Sequence, residues 1–145
     1  MKTLLHLITL IAIATTSAIA ADAKVKAGPR KGLLLDLGGK QAEFFVEKDR
    51  SISIAMYDAA MKAQPASTEV ITATAEAPSG KTKIEFEKKG DLLVSKTKLP
   101  EGEGYQVVLQ AKSTPEAKTK NFRIKLELHT CKECGNPEYA CTCDE

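Results

Sequence analysis

The sequence predicts an all-β fold, an antiparallel immunoglobulin-like sandwich of seven or eight short strands with an irregular Cys-rich C-terminal tail. Three observations carry this. Apolar and polar residues alternate with period two in short blocks between residues 33 and 128; clusters of Gly, Pro and Asp interrupt the blocks; and all four cysteines fall in the last fifteen residues.

The first block is Leu33, Leu35 and Leu37, ended by Gly38-Gly39. Ala42, Phe44 and Val46 form the second, with Glu43 and Glu47 on the opposite, solvated face of a half-buried strand. Lys48-Asp49-Arg50 supplies a turn into Ile52, Ile54 and Met56, so residues 41–57 read as a hairpin. Residues 58–68 are a break, in which Ala59 to Ala63 form one helical turn before Pro65 stops it. Strands resume at 69–76 and 81–88, turn at Lys89-Gly90-Asp91, and continue from Leu92 to Lys96. Past the bend at Leu99 to Gly104, Tyr105, Val107, Leu109 and Ala111 share one face; Phe122, Ile124, Leu126 and Leu128 share one face of the last strand. Tyr105, following a Gly-rich bend into a late strand, matches the tyrosine corner of such sandwiches.

Ahead of these strands, residues 1–20 read as a cleavable signal peptide. Met1-Lys2 is a short basic start, Leu4 to Ala14 is an apolar run too short to span a bilayer, and Ala18-Ile19-Ala20 is a small-x-small cleavage site. The expected organisation is a leader (1–20), a flexible N-terminal segment (21–30), a β-sandwich domain (31–129) and a Cys-rich tail (130–145), in a periplasmic or secreted protein without a transmembrane segment after cleavage.

Losing Lys2 from 21 basic residues leaves 20 against 19 acidic ones, a net of +1 with the signs interspersed. That balance offers no footprint for nucleic acid or an anionic membrane, and leaves an envelope protein as the partner to expect. The densest basic patch (Lys112, Lys118, Lys120, Arg123, Lys125) is broken by Glu116 and reads as a solvated loop and strand face. Cleavage also removes His6, so His129 is the one histidine left to serve as a catalytic base. It has no recognisable orienting partner, and no phosphate loop or dinucleotide fingerprint is present; the expectation is a protein that is not an enzyme.

The chemistry concentrates in Cys131, Cys134, Cys141 and Cys143, spaced C-x2-C-x6-C-x-C. Two close pairs joined by a loop holding Gly135-Asn136-Pro137 can bring four sulfurs to one point, as a thiophilic ion such as zinc or copper requires. His129 is close enough in sequence to replace one sulfur, and a lone histidine at a strand end is equally a plain surface residue. Export favours the alternative, a structural or interaction module whose tail is stapled by two disulfides, with Cys131–Cys141 and Cys134–Cys143 as a sensible crossed pairing. A thiol redox role is opposed by Glu133, Glu138, Asp144 and Glu145, which disfavour thiolates and attract cations.

Gly28-Pro29-Arg30-Lys31-Gly32-Leu33, Gln41-Ala42-Glu43-Phe44-Phe45-Val46, Ile52 to Asp58, and Gly90-Asp91-Leu92 before a Pro-Gly bend occur in that order. This arrangement, over residues 28–128, resembles small periplasmic β-sandwich domains associated with heavy-metal efflux adaptors, which open with G-P-x-x-G and run into x-A-E-x-x-V. The resemblance implies a bacterial envelope domain connected with metal handling. Arg30 and Lys31 stand where that family often has histidines, so a metal role rests on the cysteine tail, which the resemblance does not cover.

Overall fold

The computed structural model describes residues 24–143; the leader and its cleavage site lie outside the described residues. Nine strands form among them: β1 (Leu33–Asp36), β2 (Lys40–Val46), β3 (Ile52–Asp58), β4 (Ala63–Gln64), β5 (Val70–Ala77), β6 (Gly80–Lys89), β7 (Leu92–Ser95), β8 (Gln106–Lys112) and β9 (Lys120–Lys125). All pairings are antiparallel, in the order β1-β2-β3-β7-β6-β5-β8-β9, with the two-residue β4 added to β3. β6 belongs to both layers of the sandwich. Its first half, Gly80 to Glu85, pairs with β5, and its second, Phe86 to Lys89, pairs with β7. The two sheet edges approach each other where Lys120 Nζ at the start of β9 donates to the Asp36 carbonyl at the end of β1 (3.0 Å).

The alternation read from the sequence builds the core. Phe44, Ile52, Ile54, Met56, Ile84, Val107 and Leu109 are buried on inward faces, with small Ala42, Ala73, Ala75 and Ala111 filling between them. Tyr105 is buried, and its hydroxyl donates to the Pro100 carbonyl (2.8 Å), tying the strand start to the preceding bend as a tyrosine corner does. Arg50 reinforces the same bend by donating to the carbonyls of Leu99, Pro100 and Gly102.

Three expectations differ from the structure. Residues 59–63 form no helical turn. The Asp58 carboxylate accepts from the backbone N–H groups of Ala60 (2.9 Å) and Lys62 (3.0 Å), and this tight loop returns the chain as β4 onto β3. The N-terminal segment is not flexible throughout: Leu34 N–H donates to the Lys26 carbonyl (2.8 Å) and Ala27 bridges Leu33, so residues 26–30 lie against the sheet.

That segment also overturns the reading of Glu43, which is fully buried rather than solvated. Glu43 Oε1 accepts from the backbone N–H groups of Arg30 (2.8 Å) and Gly32 (2.9 Å), and Oε2 accepts from the Tyr57 hydroxyl (2.7 Å). Burial, followed by the bond to Glu43, pushes Tyr57 up to about 12, which keeps it a donor. A Cβ at Gly28 would lie 2.4 Å from Glu43 Cδ, so a larger residue there would displace this carboxylate. Glu47 is half-exposed, as expected of an outward position, and pairs with Arg30 (2.8 Å). The outer face of β2 and β3 is thus covered, and β3 is buried on both sides.

Candidate metal centre

The tail continues from β9 and folds back on itself. A bridge between Thr130 and Pro137, with Cys131 N–H donating to the Asn136 carbonyl (2.8 Å) and Gly135 N–H to the Cys131 carbonyl (3.0 Å), closes a tight loop around Cys131-Lys132-Glu133-Cys134. Gly135 has φ +69, a conformation that glycine adopts without strain and that reverses the chain after Cys134. A short 3-10 helix, Glu138–Ala140, follows and returns Cys141 and Cys143 to the first pair.

Packing holds this loop against the sandwich. Tyr139 and Ala140 are buried in the main core. The Tyr139 ring meets Phe44 edge-on with centroids 5.7 Å apart, and its hydroxyl accepts from the Val46 N–H (3.1 Å). The tail is therefore continuous with the core of the preceding strands.

The four sulfurs converge as the sequence predicts. Cys131 and Cys143 Sγ are 3.6 Å apart, Cys134 and Cys141 Sγ are 3.7 Å apart, and all four atoms lie within 4.8 Å of one another. Four ligands at a Zn–S bond of about 2.3 Å stand about 3.8 Å apart along a tetrahedral edge. The cluster is close to that size and could hold a metal ion. The two shortest separations are nested, Cys131–Cys143 and Cys134–Cys141, rather than the crossed pairs expected from sequence.

Local electrostatics distinguish the four. Backbone N–H groups of Thr142 and Asn136 donate to Cys134 and hold its pKa down to about 6. At Cys141 the backbone N–H of Cys143 favours the thiolate, but sharing a proton with Cys131, burial and Cys134 outweigh it, and the pKa is raised. Cys143 is raised strongly, first by its hydrogen bond with Cys131 and then by that with Cys141. Cys134 is thus favoured as an anion, while Cys141 and Cys143 resist ionisation until a cation compensates the charge.

Compared with protein families, curated proteins and solved structures, the chain matches none. Among the described residues no helix is long and apolar enough to cross a membrane.

His129 is not brought into the sulfur cluster. It lies with Glu127 and Glu138 in a second group, whose ligand atoms are within 4.8 Å of one another, and its Nε2 is 3.9 Å from Glu138 Oε2. Sequence proximity alone does not gather both carboxylates about His129. The i, i+2 spacing of Glu127 and His129 on an extended segment was the available signal; Glu138 joins them only through the reversal at Gly135. The basic patch is largely exposed as expected, with Lys118, Lys120, Arg123 and Lys125 open to solvent.

Proposed function

We propose that this is an exported, non-enzymatic binding protein of the periplasm or the secreted fraction, whose C-terminal loop binds zinc through Cys131, Cys134, Cys141 and Cys143. The observation that carries the reading is the spacing of the four sulfurs near a tetrahedral edge. Four sulfurs within 4.8 Å of one another suit zinc better than cuprous copper, which is satisfied by fewer sulfurs. A full set of four protein ligands leaves no coordination position for a substrate, which supports a structural or storage role over catalysis. The likeness to efflux-adaptor domains agrees with a metal connection in the cell envelope, where a protein partner would be met.

The test is elemental analysis of protein purified without chelator, repeated after substitution of all four cysteines by serine. One zinc per chain, lost in the substituted protein, is the expected result; no metal, or metal unaffected by the substitution, rejects it.

The nested sulfur pairs favour one second reading, a structural or interaction module whose tail is stapled by Cys131–Cys143 and Cys134–Cys141 disulfides. Counting free thiols after chelation, under denaturing and non-reducing conditions, separates the two. Four reactive thiols exclude the disulfides, and none excludes a native thiolate site.

A further inference from the structure

We infer that Glu127, His129 and Glu138 form a second cation site, distinct from the sulfur cluster, that takes a divalent transition metal such as zinc with lower affinity. One imidazole nitrogen and two carboxylate oxygens are the donor types that suit borderline divalent ions. Here they are brought to one point by a defined piece of backbone. Glu127 and His129 alternate along the chain beyond β9, and the returning tail is laid against them by Glu138 N–H donating to the His129 carbonyl (2.9 Å) and Tyr139 N–H to the Glu127 carbonyl (3.2 Å). Because Tyr139 is anchored in the core, its neighbour Glu138 is held at the surface beside His129.

His129 Nε2 and Glu138 Oε2 at 3.9 Å are too far apart for a hydrogen bond. Two carboxylates face a single imidazole, and Glu127 also ion-pairs with the exposed Lys125. The Lys125 ammonium lies on the solvent side of this pair, so a cation entering beside Glu127 can displace it into water. Ligands about 2.1 Å from a tetrahedral ion stand about 3.4 Å apart. The present separations are within 4.8 Å, and His129, the most exposed of the three, is the side chain with room to adjust toward the carboxylates. Three protein donors leave coordination positions for water, which makes the site exchangeable. Glu138 also borders the surface depression lined by Cys131, Cys141 and Cys143, so the two sites are neighbours with separate ligand sets.

The experiment is a Zn2+ titration of the whole reduced protein by calorimetry, with the His129 ring followed by NMR. The expected result is one tight equivalent that leaves the ring in place and a second, weaker equivalent that shifts it. His129→Gln and Glu138→Gln should each abolish the second equivalent and keep the first, since neither change touches a sulfur or the backbone bonds of the loop. A Cys134→Ser/Cys141→Ser protein should lose the tight equivalent and retain the one that moves His129. Native protein whose His129 signals never respond to Zn2+, or a second equivalent that survives His129→Gln, overturns the site. Loss of the tight equivalent alone would instead overturn the thiolate reading and leave this one standing.

Discussion

The sandwich and the tail achieve order by different means. β2, β3, β5 and β8 each contribute several inward apolar side chains, and their burial stabilises the layers without outside help; among the described tail residues only Tyr139 and Ala140 enter the core. The remainder of the loop is shaped by a few backbone hydrogen bonds and by four sulfurs whose mutual repulsion, once ionised, needs a cation or oxidation to relieve it. The contrast teaches that a loop too small for its own core can be placed by a single aromatic anchor at one end while it gathers four sulfurs at the other.

Substitutions sharpen that comparison in a graded way. The largest loss is expected from Phe44→Ala, about 3–5 kcal/mol by denaturant unfolding, because it opens the core and also removes the ring against which Tyr139 packs. Glu43→Ala should cost about 3 kcal/mol, since it orphans the N–H groups of Arg30 and Gly32 and the Tyr57 hydroxyl; equilibrium unfolding checks it, and a near-neutral result would mean that the N-terminal segment is not held by this carboxylate. Removing metal with a chelator should cost the sandwich no more than about 1.5–3 kcal/mol, the burial of one large side chain, while amide protection across residues 130–143 collapses in hydrogen exchange. Equal loss of protection in β3 and β8 would break the distinction between the two regions. The smallest effect is expected from Tyr139→Phe, about 1 kcal/mol, which leaves the ring packed and takes only the acceptor from the Val46 N–H.

Much of the sandwich was legible because period-two alternation directly encodes a sheet with one wet face. The turns at Gly38-Gly39, Lys48 to Arg50 and Lys89 to Asp91 marked the hairpins β1–β2, β2–β3 and β6–β7, but not the β3–β7 and β5–β8 pairings between strands distant in sequence. The same logic failed at Glu43, since alternation tells which face a residue occupies and not what covers that face; here it is residues 26–30, whose placement depends on Gly28 lacking a Cβ. It failed again at residues 59–63, where a helix-forming composition was overridden by the Asp58 carboxylate capturing two backbone N–H groups. The cysteine cluster was legible from spacing because both pairs are local. The grouping of His129 with Glu127 and Glu138 was not, as it requires the reversal at Gly135 and the anchoring of Tyr139, neither of which leaves a periodic trace.

The ten-residue β6 gives the two layers a common fate. A strand bonded along one half to β5 and along the other to β7 cannot be peeled from either layer without fraying the second. The sandwich should therefore melt as one cooperative unit, and a proline placed at Ile84, in the middle of this shared spine, would uncouple and expose both sheets at once.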